Sequence, residues 1–272
     1  MNITFIGGGN MASALIGGML QQGYSALQIR VVEISAEGRN KVSRDFGVVS
    51  VADLADGIRG SDVIVLAVKP QQLSSVAQQL APLLKDHLVI SIAAGIRTRD
   101  ISRWLGGYVQ LVRAMPNTPA LVRAAVTGLY ALPGVDSEQK QHAQDILAAV
   151  GSILWLEREE LLDALTAVSG SGPAYVFYFI EGLQRAAVEL GLDTTQARQL
   201  SIETFLGAAK LASQSEEDIS TLRARVTSKG GTTESALQSM EHDGIGSAIV
   251  RAIYAAHERA CVMGDDLGKD NL

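Results

Sequence analysis

Two stretches of this chain carry residues whose types and spacing could do chemistry, one near each end. The later one is Val226-Thr227-Ser228-Lys229-Gly230-Gly231-Thr232-Thr233-Glu234-Ser235-Ala236-Leu237. Two glycines and a run of hydroxyls stand directly before an apolar-periodic segment. Several unpaired backbone N–H groups should therefore converge at a helix N-terminus, an arrangement that suits a small anion such as a carboxylate. The earlier stretch is Gly7-Gly8-Gly9-Asn10-Met11-Ala12, which fits G-x-G-x-x-G/A immediately after an apolar run. Its first glycine permits a tight turn, its second lets the backbone approach a pyrophosphate, and Ala12 keeps the helix close to the sheet. A nucleotide cradle and a separate carboxylate cradle in one chain suggest a reductase for a small acid.

The residues around the first cradle narrow the cofactor without choosing it. Glu33 stands where an acid commonly hydrogen-bonds a ribose 2′-hydroxyl, which favours NAD. Ser35, Arg39 and Arg44 follow closely and could offset its repulsion of a 2′-phosphate. A solvated surface glutamate fits the same position, so these residues leave NADH and NADPH both open.

Three apolar runs end in polar or proline-bearing segments: Ala67-Val68-Lys69-Pro70-Gln71, Ser91-Ile92-Ala93-Ala94-Gly95, and Arg113-Ala114-Met115-Pro116-Asn117-Thr118-Pro119. In open α/β sheets the carboxyl ends of strands border the ligand crevice, so these residues are candidates for lining it. Prolines that merely end strands would look the same. Ser169-Gly170-Ser171-Gly172-Pro173-Ala174-Tyr175 interrupts a helical region, and close helix packing explains it as well as ligand approach does. The four histidines show no metal-ligand spacing, so no metal is expected. No Gly-x-Ser-x-Gly elbow is present, which removes the hydrolase reading.

These residues must be positioned by a chain of 272 residues with 47% hydrophobic and 19% charged content, ordinary for a folded globular protein. The net charge of −6 argues against a nucleic-acid or anionic-membrane partner. The lone Cys261 excludes an intrachain disulfide and is consistent with a reducing compartment. No signal peptide or membrane-spanning run is legible, and a cytoplasmic protein is expected.

Strands are read over 2–6, 29–32, 63–68, 88–93, 109–113, 125–130 and 153–156. Helices are read over 11–22, 36–46, 71–83, 98–105 and 137–150. This alternation implies a Rossmann-type α/β domain with a mostly parallel, doubly wound sheet. From residue 161 to 263 the periodicity is helical throughout. The expected division is therefore a dinucleotide-binding domain over 1–160 and an all-helical domain over 161–272.

The motifs together closely resemble pyrroline-5-carboxylate reductase, with matches at 7–12, 67–71, 113–119, 169–175 and 227–237 in the family's order. The resemblance implies reduction of the cyclic imine 1-pyrroline-5-carboxylate to L-proline by hydride from NADPH, with NADH as the alternative donor. It implies that the helical domain is an all-α dimerisation unit of a homodimer, with larger assemblies of such dimers known in the family. The active site would then form between one subunit's nucleotide domain and the other's helices.

The same resemblance implies cofactor contacts from Gly7, Gly8, Gly9, Asn10, Met11, Glu33, Ser35, Ala67, Val68, Lys69, Pro70, Ala93, Ala94, Gly95, Met115, Pro116 and Asn117. The substrate carboxylate would rest on Gly230, Gly231 and Thr232. Thr233 is the first candidate to hydrogen-bond the ring nitrogen and Ser228 the second. One departure is visible: Lys229 stands where the family usually has proline.

Two other readings compete. The β-hydroxyacid dehydrogenases share a Rossmann domain followed by helices but carry a catalytic lysine on the first long interdomain helix, and residues 161–190 contain no lysine. A dinucleotide-binding sensor without turnover would keep 7–12 but would need no carboxylate loop at 228–233.

Overall fold

The structure is a computed structural model and describes residues 1–269. Eight strands form a single sheet: β1 (Ile3–Ile6), β2 (Ile29–Val32), β3 (Val49–Val51), β4 (Val63–Leu66), β5 (Leu88–Ser91), β6 (Leu111–Met115), β7 (Ala125–Ala131) and β8 (Gly151–Trp155). Their order across the sheet is β3-β2-β1-β4-β5-β6-β7-β8. Neighbours are parallel except β6 and β7, so the last two strands run against the first six. The chain crosses from one side of β1 to the other after β3, which opens a crevice at the carboxyl ends of β1 and β4.

The strands form because their residues are apolar and β-branched on both faces. One face sets Ile3, Phe5, Val31, Val65 and Ile90 against α1 (Asn10–Gln21) and α6 (Ser137–Ala148). The other sets Ile6, Val32, Ile64, Leu66 and Val89 against Leu73, Ala77 and Leu80 of α4 (Pro70–Leu80), and Ile101 and Trp104 of α5 (Thr98–Trp104). Each fully buried aliphatic side chain on these faces stabilises the fold by about 1.5–3 kcal/mol. Two further helices beside the sheet are α2 (Ala36–Phe46), capped by the Ser35 hydroxyl, and the short α3 (Leu54–Ile58), capped by Asp53.

Several strands stop earlier than their apolar runs suggest. β4 ends at Leu66, not residue 68, and β5 ends at Ser91, not residue 93. The extra residues leave the ladder and become the rim of the crevice. β6 lies two residues later than read, over Leu111–Met115, because Val109 and Gln110 precede the ladder. The three-residue β3 and five-residue α3 are too short to leave a period in the sequence.

The chain folds as two compact units, Met1–Ser171 together with the chain from Ala256 onward, and Gly172–Ala255. The first unit holds the sheet, α7 (Leu161–Leu165), a π-wound segment over Thr166–Gly170, and the final turns of the long helix α12 (Ile245–Leu267). Those turns are fastened within the unit by ion pairing of Arg97 with Asp265 at 3.0 Å. The Arg103 guanidinium also donates to the Gly268 carbonyl at 2.7 Å. The second unit comprises α8 (Gly172–Glu189), α9 (Thr194–Ser213), α10 (Ile219–Arg225), α11 (Thr232–His242) and the beginning of α12. Asp193 caps α9 by accepting the N–H groups of Thr195 and Gln196. No helix among the described residues is long and apolar enough to cross a membrane.

Candidate active site

In the first unit, the ends of four strands are joined laterally by backbone hydrogen bonds, so their loops leave the sheet in step. The Gly7 N–H donates to Val32 at 2.8 Å, Ala67 to Ile6 at 2.8 Å, and Ile92 to Leu66 at 3.1 Å. Gly7 has φ +102°, and a Cβ there would lie 2.7 Å from the Ala67 carbonyl oxygen. Only glycine allows the β1–α1 turn to approach the end of β4 this closely. At Gly9, by contrast, a Cβ would meet nothing within 4 Å.

Gly9 begins α1 without any capping side chain. The first N–H groups of α1 have no partner within their own helix, and its positive end adds to their attraction for an anion. A tight first glycine, an open third glycine and an uncapped helix start fit a dinucleotide pyrophosphate. Asn10 and Met11 belong to that first turn, and Lys69 and Pro70 open α4 across the crevice.

Glu33 sits beside this turn and is held there. Its Oε2 accepts the Gly8 N–H at 3.1 Å and its Oε1 accepts the Ser35 N–H at 2.9 Å. It is therefore not a free solvated glutamate. Arg44, read as a possible counter-charge, instead lies in the last turn of α2.

Ala93 is buried and Ala94 and Gly95 are half-buried just past β5, and Met115 is the last residue of β6. Asn117 is used by the fold: its Nδ2 donates to the Ser169 carbonyl at 3.0 Å, and its Oδ1 accepts the Val126 N–H at 3.0 Å. These two bonds fix the orientation of its side chain and leave one amide N–H and one oxygen lone pair uncommitted. The nearby Ser169 hydroxyl is buried and has no partner among the described residues. Leaving such a group unpaired costs about 1–3 kcal/mol.

One functional arrangement escaped the sequence. Arg113, 2% exposed within β6, donates to Glu159 at 2.9 Å. Glu159 also accepts the Thr98 N–H at 2.7 Å and the Thr98 hydroxyl at 2.6 Å, at the start of α5. One carboxylate thus braces β6 and the loop after β5, two segments that border the crevice. An arginine inside an apolar strand was the available signal, since a buried charge needs a partner.

The second unit carries the other cradle. The Gly231 N–H donates to the Ser228 carbonyl at 3.0 Å, and Gly230 has φ +73°. This is the pattern of a type II turn, with Lys229 and Gly230 at its two central positions. Gly231 then begins α11 with no capping side chain, followed by Thr232 and Thr233 in its first turn. The Ser228 hydroxyl lies against Gly231, 2.5 Å from where a Cβ would stand. The Gly230 N–H is taken by the carboxylate of Glu234 at 2.7 Å.

Comparison with known proteins separates these features from those of other dinucleotide folds. A family model described as pyrroline-5-carboxylate reductase dimerisation matches residues 159–263, and one described as NADP oxidoreductase coenzyme F420-dependent matches residues 2–95. A pyrroline-5-carboxylate reductase of Pseudomonas aeruginosa is 45% identical over 268 residues, covering 98% of each chain. The chain belongs to the pyrroline-5-carboxylate reductase family.

Another member, from Pasteurella multocida, is 43% identical and covers 95% of this chain and 96% of its own. Among solved structures, the family member from Coxiella burnetii superposes with a TM-score of 0.92 at 42% identity, covering 99% of both chains. That from Plasmodium falciparum, solved with NADP bound, gives 0.86 at 30% identity, covering 97% of this chain and 98% of that one. Membership in this family makes the chain a nicotinamide-dependent oxidoreductase with a Rossmann-like sheet followed by a helical dimerisation region.

Proposed function

We propose that this chain reduces 1-pyrroline-5-carboxylate to L-proline, the final step of proline biosynthesis. The observation that carries the reading is the near-full-length identity to reductases named for that substrate. The open turn at Gly9 and the glycine turn before α11 supply two anion cradles of the sort such a reaction needs. The nicotinamide supplies a hydride when bound.

The protein's own part is positioning. Gly7 and Gly8, whose own N–H groups go to Val32 and Glu33, shape the turn that brings the N–H groups of Gly9, Asn10 and Met11 to the pyrophosphate, and Glu33 and Ser35 meet the adenosine ribose. Ala67, Val68, Lys69, Pro70, Ala93, Ala94, Gly95, Met115, Pro116 and Asn117 border the rest of the cofactor. Gly230, Gly231 and Thr232 orient the substrate carboxylate, and the Thr233 hydroxyl bonds the ring nitrogen, with Ser228 as the second candidate. The Gly231 N–H also closes the turn onto the Ser228 carbonyl, and the Gly230 N–H must leave the Glu234 carboxylate before it receives the substrate's, so only part of this cradle is aimed before substrate arrives. A cyclic imine is basic enough to arrive protonated, so the site needs no strong general acid.

Residues 1–160 serve the nucleotide and 161–272 serve assembly and substrate. The partner is a second copy of the chain. No residue of α8 is buried, and Phe177, Tyr178 and Tyr254 are 62%, 75% and 65% exposed in the single chain. So much aromatic surface on one set of helices calls for a protein cover. Neither nucleic acid nor membrane is a partner of this acidic chain. Its reductant is regenerated in the cytoplasm, where we place it.

The test is oxidation of NADPH, and separately NADH, by purified protein given racemic pyrroline-5-carboxylate. Rapid turnover with either is expected. Folded protein that binds nucleotide but reduces no imine with either cofactor would overturn the reading in favour of a sensor.

A further inference from the structure

The adenosine end of the crevice carries a charge pattern of its own. Both oxygens of Glu33 accept one backbone N–H each, from Gly8 at 3.1 Å and from Ser35 at 2.9 Å. A carboxylate oxygen has two lone pairs, so each keeps one acceptor position to spare. The result is a fixed negative charge beside the β1–α1 turn with one acceptor position unused on each oxygen. A ribose 2′,3′-diol offers two hydroxyl donors. A 2′-phosphate offers acceptors and a charge of about −1.5 to −2.

The surroundings do not reverse that sign. The next residue, Ile34, is 80% exposed and presents an apolar surface without charge. Nη1 of Arg39 donates to the carbonyls of Glu33 and Ile34, at 2.8 Å each, bracing the turn from which they project. Arg44 pairs with Asp45 at 3.0 Å. It is separated from Ser35 by about 13 Å of helix. The Ser35 hydroxyl accepts the Gly38 N–H at 3.3 Å, and Glu37 adds a negative charge in the same first turn of α2. Two carboxylates thus face the Arg39 guanidinium and the positive end of that helix, which adds roughly half a charge, so the local balance stays negative.

We infer that Glu33 is the specificity-determining residue of the cofactor site and makes this chain prefer NADH to NADPH. The inference rests on the reductase reading of the crevice and departs from NADPH, the donor that the family resemblance implies. The mechanism is a difference of affinities: Glu33 accepts from the diol of one cofactor and repels the phosphate of the other.

The experiment measures binding of NADH and NADPH to the full-length protein by calorimetry without imine substrate, at low and high salt, alongside kcat/KM for each. Wild-type protein is expected to bind NADH at least ~10-fold more tightly, with a gap that narrows as salt screens the repulsion. Glu33→Gln keeps the side-chain shape and removes the charge, and should move the affinity ratio toward NADPH by roughly 10- to 100-fold. Glu37→Gln leaves the Gly8 and Ser35 bonds untouched and should move it the same way by about 2- to 5-fold, which keeps the test decisive if Glu33→Gln misfolds.

Tighter binding of NADPH by the wild type would overturn the inference. So would an unchanged ratio in folded Glu33→Gln or, should that variant misfold, in Glu37→Gln. Preference for NADH with no imine reduction would retire the reductase reading and leave the role of Glu33 standing. Rapid imine reduction with NADPH preferred would do the reverse.

Discussion

The Gly230 N–H donates to the Glu234 carboxylate across 2.7 Å, so the chain places one of its own carboxylates on an amide proposed to receive the substrate's. Glu234 is in the first turn of α11, and the contact resembles a capping box shifted one residue toward the N-terminus. A substrate carboxylate competes with it for the same donor and is repelled by its charge. Glu234→Gln keeps an acceptor for Gly230 but removes that charge. The expected outcome is a KM for the imine acid lowered by about 2- to 10-fold with kcat nearly unchanged. A raised KM would show instead that the charged carboxylate is needed to brace the loop.

Lys229 occupies the first central position of the turn that Ser228 and Gly231 close, the position where proline presets the backbone. Among the described residues its N–H makes no hydrogen bond that proline would remove. Lys229→Pro should therefore stabilise the protein by about 0.4–1 kcal/mol, mainly by restricting the unfolded chain. Urea unfolding checks this, with the midpoint moving up and the slope unchanged. A destabilised variant would mean that Ser228 or Lys229 holds a backbone conformation that proline forbids.

Thr233 stands in the first turn of α11, two residues past the uncapped Gly231. If its hydroxyl bonds the ring nitrogen as the hydride arrives, Thr233→Ala lowers kcat by roughly 10- to 1000-fold, the range of one catalytic hydrogen bond. Thr233→Ser keeps the hydroxyl and should recover most of that loss. Steady-state kinetics at saturating cofactor decides the matter, and an unchanged kcat in the alanine variant would remove Thr233 from the mechanism.

Tyr108 gives the first unit a pH dependence. Burial, aided by the negative charge of Asp86, pushes its hydroxyl up to about 12 from an ordinary value near 10. The oxygen lies 2.6 Å from the His87 carbonyl and 2.8 Å from that of Lys85, so the protonated form is the one the fold uses. Between those two values the folded state holds a proton that the unfolded state has released. Stability from this group is thus complete below pH 10 and disappears as pH rises toward 12. Thermal melts of wild type and Tyr108→Phe should converge over that interval, and parallel curves would contradict it.

Most of the sheet was legible because its strands are predominantly apolar runs bounded by glycine or a polar turn, as Val63-Ile64-Val65-Leu66 shows. The β1–α1 turn was legible for the same reason that it works: Gly7 is required where the backbone crosses the end of β4. Long-range pairings were not legible. Nothing in the order of residues joins Glu159 to Thr98 and Arg113, or Asn117 to Ser169, because each bond links segments that only the tertiary fold brings together. Whether Glu33 points to solvent or into the turn likewise depends on where Gly8 comes to lie. Patterns of period and punctuation report local conformation, and polar partners far apart in the chain lie outside their reach.

The Arg113 network leads to a prediction about stability. Arg113 lies between two carboxylates, Glu159 at 2.9 Å and Asp163 at 3.8 Å, and all three side chains are mostly or fully buried. Removing one partner of a buried pair leaves an uncompensated charge, typically about 3–5 kcal/mol of destabilisation. The two ends of this pair are not equivalent. Glu159→Gln leaves Arg113 with Asp163 as a counter-charge, whereas Arg113→Met leaves two carboxylates without the cation between them. Arg113→Met should therefore be the more damaging change, by about 1–2 kcal/mol. The double variant Arg113→Met with Glu159→Gln should lose less than the two single losses added together, because it removes the repulsion that the first change creates. A denaturant series on the four proteins measures the coupling directly. Equal single losses that simply add would mean that the charges act independently and that the Thr98 hydrogen bonds, not Arg113, hold Glu159 in place.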